Sequence, residues 1–449
     1  MRVSLLFWIV AVLALSVGCG KKEENKATAP SPADQYVSKV IECLNHTESI
    51  LPDMKAPADE AAKRWSDGGH VYITDDETIN RTGKETVKLF HGDGVDYPMS
   101  EDWGGFVAEA CDRAGGFRHI KPVPVNMEVT KKDVVLAGTV DLHPEAQTEY
   151  LKKLKEKGAL IILFGSKSAK VASVADYLID NGLPAGVIPV MSAGKDSSLI
   201  GPVAPMANVI NMWTFSAELV AAMNRIGKMP TLWQSMFVPG AAQRNTRIEK
   251  IEFDPDVKVQ PVEPGALGRQ FVAAARTCLL NMKANELGKF TRAGKLCADA
   301  VTSGKKIVSS IIGHFMVVQT RMPGYPNIFT LKANEYGRKY LDGVLGQGDV
   351  FLHIGYSYTP VEELGFAREV GAKTVAVFTP GPTKVGEGTP VAPDTTMIDV
   401  YIDPYWKHGD AVVEVPGYDV KIIPVSGVVM ITSYWMIIGE TVKSLEERK

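Results

Sequence analysis

The acidic and apolar run at residues 176–186 returns in altered form at 399–410, and this repetition constrains the fold more than any other feature. Each run leads to a proline and then to an apolar helical stretch with one tryptophan: Pro202 with Trp213, then Pro424 with Trp435. Upstream, Arg113-Ala-Gly-Gly is echoed by Arg321-Met-Pro-Gly, and Cys43 by Cys278. A period of roughly 200 residues is too long for a solenoid repeat and has the size of a domain. The chain is therefore expected to hold two copies of one α/β domain, with a site where the copies meet.

The 449 residues suffice for two full cores. Lys and Arg total 49 against 52 Asp and Glu, with no basic stripe, so nucleic acid is not an expected partner. The N-terminus reads as a targeting segment. Arg2 supplies a positive start, Leu5 to Leu15 an apolar run, and Val17-Gly18-Cys19 a small-residue cleavage site ending in cysteine. The segment 1–19 resembles a bacterial lipoprotein signal, which implies lipid on Cys19 and attachment to a membrane after export. A plain secretory peptide cut near the same place is the alternative. Residues 20–33 read as a flexible tether. Four further cysteines, Cys43, Cys111, Cys278 and Cys297, lack zinc-ligand spacing, so no metal is expected. No cofactor-binding motif is present either.

Along the chain, helical spacing over 34–67 precedes a strand at 70–74, and an insertion is expected over 75–103. Strands at 133–137, 159–164 and 175–179 follow, with a helix over 145–157 ended by Gly158. Residues 200–226 read as one long buried helix. Proline and glycine then punctuate a linker, placing the domains at 34–245 and 266–449 with 246–265 between them. The cycle restarts with a helix over about 270–303 and strands at 306–312 and 349–354. A helix at 360–370 is capped by Gly371, and strands at 373–378 and 400–403 lead to a last helix at 424–445. Continuous apolar strands alternating with helices predict parallel sheets covered on both faces.

The stretch 349–378, with its strand, Gly-Ser-Thr turn, helix and second strand, resembles the sugar isomerase (SIS) family. Residues 180–186 and 109–116 carry the likeness in the first copy, and 409–410, 414–417 and 424–426 carry it in the second. The resemblance implies two flavodoxin-like three-layer α/β/α domains packed as a pseudo-dimer. It also implies a bound sugar or sugar phosphate and a tendency to form homodimers. The family's phosphate motif is Ser-x-Ser-Gly-x-Thr. Here Gly355 matches its glycine and Ser357 its threonine, while Leu352 and Ile354 stand where the serines belong. In the first copy the turn at 138–144 holds Thr139 and no serine. Thr359 and Ser426, with Arg113 and Arg321, complete the candidate ligand-binding set.

Catalysis on a sugar would need a general acid or base. Glu362, Glu109 and His314 are the candidates, with Glu363 beside Glu362. Carboxylates in a first helical turn are also favoured by the helix dipole alone, and Ser357 and Thr359 could serve as caps. Loss of the motif serines favours carbohydrate-derivative binding, with an isomerase or lyase acting on an amino-sugar phosphate or cell-wall sugar as the alternative.

Overall fold

Buried parallel strands need apolar cover on both faces, and the alternation of side chains along each strand shows where that cover comes from. The computed structural model describes residues 29–75, 86–87, 97–98, 116–124, 128–192, 199–312, 329–333, 335–356, 358–384 and 386–449. The first half runs through helices α1 (Pro32–Ser49) and α2 (Lys55–Ser66) to strand β1 (Val71–Asp75). A short pair, β2 (Thr86–Val87) and β3 (Tyr97–Pro98), precedes β4 (Lys121–Pro122) and β5 (Val134–Gly138). Then come α3 (Pro144–Glu156), β6 (Leu160–Gly165), β7 (Tyr177–Asp180), the hairpin β8 (Pro189–Ser192) and β9 (Leu199–Pro202), and α4 (Ala204–Arg225).

After α5 (Ala241–Ile248) the second half repeats the plan. Helices α6 (Ala266–Asn285) and α7 (Leu287–Thr302) lead to β10 (Ile307–Ile311), β11 (Phe329–Ala333) and β12 (Val350–Ile354). Next are α8 (Val361–Glu369), β13 (Lys373–Val377), β14 (Val400–Ile402), the hairpin β15 (Ala411–Val413) and β16 (Ile422–Pro424), and α9 (Ser426–Glu446).

The main sheets are both parallel, in the orders β4-β1-β5-β6-β7 and β11-β10-β12-β13-β14. Counted within each half, both orders are 2-1-3-4-5, the doubly wound arrangement of flavodoxin-like folds. The repetition extends to register. An offset of 222 residues carries the pairs Pro189–Pro202 and Met191–Ile200 onto Ala411–Pro424 and Val413–Ile422. It also carries the left-handed residues Ile188 and Gly201 (φ 51° and 78°) onto Asp410 and Ile423 (φ 65° and 62°). A β-branched residue is an outlier in that region, so Ile423 keeps the repeat's geometry against its own preference.

The two sheets share one core and each has a second of its own. Val134, Leu136, Ile162 and Phe164 of the first sheet share one hydrophobic core with Ile307, Leu352, Ile354 and Val375 of the second. The alternate residues Val135, Ala137, Ile161 and Leu163 pack separately with Leu151 and Leu154 of α3. Phe351 and Ala376 likewise pack with Leu364, Phe366 and Ala367 of α8. The shared layer holds α4 and α9, which are buried on every face, as helices apolar all round must be. Among the described residues no helix is long and apolar enough to cross a membrane.

Most expected elements are present, with some differences. Residues 200–202 belong to a hairpin strand rather than to the long helix, and β2, β3, β4, β8, β11, β15 and β16 lie outside the strands the sequence predicts. The helix expected over about 270–303 is two helices broken at Glu286, whose carboxylate accepts from the Asp403 N–H and the Tyr405 hydroxyl. The expected linker begins inside α5 and packs on the second half, where Gln260 N–H donates to Pro416 O. Cys43, Cys278 and Cys297 are buried free thiols, and burial pushes each up to about 12.

The halves are tied by a reciprocal exchange. Glu218 of α4, 1% exposed, accepts from the Gly265 and Gly268 N–H groups at the start of α6, at 2.6 and 2.8 Å. Its counterpart Glu440 of α9, also 1% exposed, accepts from Ala33 N–H at the start of α1, at 3.1 Å. Each half's last helix thus caps the other half's first helix. Removing either carboxylate strands buried helix N–H groups, so Glu218→Ala and Glu440→Ala should each lower unfolding free energy by about 1–3 kcal/mol. Calorimetric unfolding checks this, and wild-type stability in both variants would refute the capping role.

Candidate functional site

Ligands in doubly wound sheets sit outside the C-terminal ends of the strands, where the order reverses. In this chain those places are the turns after β5 and β12, and the two have diverged.

The first turn is polar and cross-linked by hydrogen bonds. Thr139, buried, donates its N–H to Phe164 O at 2.9 Å, and its hydroxyl accepts from Asp141 N–H at 3.1 Å. Asn208, one turn into α4, donates to Thr139 O at 2.7 Å and accepts from the Asn181 amide at 2.9 Å. Beyond β6, the Ser166 hydroxyl donates to Leu183 O, and the Ser168 hydroxyl accepts from Ala185 N–H at 3.0 Å. Gly165 is required here, because a Cβ would meet Thr139 Cγ2 at 2.3 Å. Thr139, Asp141, Ser166, Asn181 and Gly186 line a shallow surface depression that encloses no space for a water molecule. A larger open groove, lined by His70, Tyr72 and Asp133, lies at the opposite, N-terminal edge of this sheet, away from the usual ligand position.

The strand end that leads into the second turn is apolar where the family's motif positions would call for serine. Leu352 and Ile354, at the registers of the motif serines, are fully buried in the shared core. Between them His353 is also fully buried, with neither ring nitrogen hydrogen-bonded among the described residues. Its ring packs near Phe351 and Phe378, and burial pushes its pKa down to about 3, so it is neutral at neutral pH. Phe237, from the segment between α4 and α5, packs edge-on against Tyr356 at 5.1 Å between ring centroids. It also lies 6.3 Å from Tyr336 and 6.4 Å from Tyr358. An aromatic plug from the first half therefore fills the space beside the second turn.

The expected site residues that are described fall in three places. Gly355, Thr359 and Glu362 lie together around the second turn. Thr359 stitches the loop after β13: its hydroxyl lies 2.9 Å from Gly381 O and from Val391 O, and accepts from Gly381 N–H at 3.1 Å. Glu362 is exposed. Thr139 occupies the first turn. Ser426 is fully buried at the start of α9, where its hydroxyl donates to Asp410 Oδ2 at 2.5 Å, a capping contact. Glu109, Arg113, His314, Arg321, Ser357 and Cys19 lie outside the described residues. Among the described residues no cluster of His, Cys, Asp or Glu could hold a metal ion.

Glu363, rather than its neighbour, is the chemically distinctive carboxyl. It is fully buried, accepts from Gly337 N–H at 2.7 Å and lies 3.2 Å from the Tyr358 hydroxyl. Burial raises its pKa despite these donors. The signal missing from the sequence was the burial of one of two adjacent glutamates.

No protein-family model matches the chain, and no curated protein matches it. Solved structures do. The C-terminal domain of the glucosamine-fructose-6-phosphate aminotransferase of Francisella tularensis aligns at TM-score 0.48 and 11% identity, over 92% of this chain and 97% of that one. A provisionally assigned phosphosugar isomerase of Clostridium difficile 630 aligns at 0.45 and 10%, over 92% and 93%. The glucosamine-6-phosphate deaminase of Thermotoga maritima aligns at 0.39 and 9%, over 91% and 94%. At these scores the neighbours carry no functional argument, and the fold class rests on the strand order itself.

A carboxyl with a raised folded-state pKa holds its proton more tightly folded than unfolded. It supports the fold below the unfolded value of about 4.3 and loses that support as pH rises through the folded value. Glu363→Gln keeps an acceptor for Gly337 and Tyr358 without the titration. It should raise Tm relative to the parent at pH 8 and leave it unchanged at pH 4. Parallel Tm-against-pH curves for the two proteins would contradict this.

Proposed function

We propose that this is a carbohydrate-derivative binding protein, a degenerate tandem SIS protein with domains at 34–245 and 266–449, whose ligand enters at the first half's turn. One contrast carries the reading. The two turns stand on the same strand order, yet at the described residues the first gathers Thr139, Ser166 and Asn181 around a shallow surface depression, while Phe237 and tyrosines pack beside the second. Fold likeness does not transfer activity once site residues have changed, and binding needs fewer of them than turnover does. A thermal-shift screen of the mature chain with amino sugars, sugar phosphates and muropeptide fragments tests it. Binding at one hundred times Kd stabilises by about 2.7 kcal/mol. A ligand that stabilises without being converted is the expected result; no shift with any carbohydrate would end the proposal.

A second reading, an isomerase or lyase on an amino-sugar phosphate or cell-wall sugar, has its support in the Glu362–Glu363 pair. A buried carboxyl with raised pKa beside an exposed one resembles an acid and a base set apart by environment. Glu109 and His314 would join them. Turnover abolished by Glu362→Gln would favour this reading over plain binding.

We further infer that the protein is exported and anchored on a membrane surface by lipid at Cys19. The support is the order of Arg2, the apolar run and Val17-Gly18-Cys19. Metabolic palmitate labelling should disappear in Cys19→Ser; labelling that persists there would refute the anchor.

A further inference from the structure

Room for a ligand exists in the open groove on the N-terminal edge of the first sheet. Its volume of about 690 Å³ falls within the roughly 300–1,000 Å³ usual for small-molecule sites. His70 and Tyr72 line it from the start of β1, Glu128 and Lys132 from the loop that enters β5, and Lys157 from the end of α3. These loops are held in place by hydrogen bonds. The Arg64 guanidinium of α2 donates to Lys131 O and to Gly158 O, both at 3.0 Å. The buried Asp133 carboxylate accepts from His70 N–H at 2.7 Å and from Thr130 N–H at 2.6 Å, which joins the β1 and β5 loops. A Cβ on Gly69 would meet Lys132 O at 2.0 Å, so glycine is what lets these loops approach. Walls fixed in advance spare a ligand the cost of ordering them.

The groups on these walls are mixed in kind. Tyr72 is half-buried and packs on the α3-side core, while the exposed His70 ring lies 5.9 Å from it between centroids. Burial, and then the nearby Asp133 and Glu128, push the Tyr72 pKa up, so its hydroxyl keeps its proton and is a donor. Lys132 and Lys157 stand against Glu128 and Asp133, two cations and two anions, so the lining has no net charge at neutral pH. Helices α2 and α3 both end at this edge, at Ser66 and Glu156, and a helix C-terminus carries partial negative charge. That is the reverse of the helix starts that hold phosphate. An ionised phosphate is therefore disfavoured here. Sugar hydroxyls fit better, because each both donates and accepts, and the C–H face of a sugar suits the negative face of an aromatic ring.

We propose that this groove binds a neutral saccharide, with a sugar ring over Tyr72 and hydroxyls at His70 and Glu128. The class of ligand rests on the binding reading above; the place does not. Ligand-observed NMR titration of the mature chain with N-acetylglucosamine, its β-1,4-linked dimer and N-acetylglucosamine 6-phosphate tests this. The neutral sugars should bind, and the phosphate should add no affinity. Tyr72→Leu keeps an apolar side chain on the α3-side core but removes the ring and its hydroxyl, and should weaken binding about fivefold or more. His70→Ala, at an exposed side chain, should weaken it about threefold or more and serves as the independent variant if the first folds poorly. Unchanged affinity in both variants, or tighter binding of the phosphorylated sugar, overturns the groove assignment and leaves the binding reading standing. Failure of every saccharide to bind overturns both.

Discussion

Two carboxylates buried between the halves hold the architecture in register. Glu218 and Glu440 stand at equivalent positions on α4 and α9, and each satisfies backbone donors at the start of the other half's first helix. A carboxylate that far from water needs donors, and a helix start has N–H groups without internal partners. Each therefore solves the other's problem, in both directions across the shared core. Burial raises the pKa of Glu218 even so. Close packing adds to the constraint: a Cβ on Gly268 would lie 3.1 Å from Glu218 Oε1, and one on Gly294 would lie 2.4 Å from Glu440 Cβ. Glycine lets the helices approach where the carboxylates work.

With the scaffold fixed in this way, the turns at the sheet edges were free to diverge. The first is held by amides: Asn208 reaches from α4 to Thr139 and Asn181, and Asn211 beside it donates to Asp180 O at 3.0 Å. The second half has Met430 and Ser433 at the positions related by the repeat offset, and the Ser433 hydroxyl donates to Val429 O of its own helix. Met430 and Ser433 do not make the amide cross-links of the first turn, and the aromatic cluster around Phe237 packs beside the second. The segment carrying Phe237 is anchored by Arg244, which pairs bidentately with Asp419 at 2.8 Å. The plug is thus part of the fold and not a passing contact.

The sequence carried the repeat, the parallel sheets and the helix ends at Gly158 and Gly371, because those follow from apolar runs and from glycine in left-handed caps. It did not carry what depends on distant partners. Nothing local breaks the helix at Glu286; tertiary bonds to Asp403 and Tyr405 do. Nothing local gives Ile423 a positive φ; the register of the hairpin imposes it. The motif comparison located both turns, through Thr139, Gly355 and Thr359. It missed Phe237, which reaches the second turn from more than 100 positions earlier in the chain.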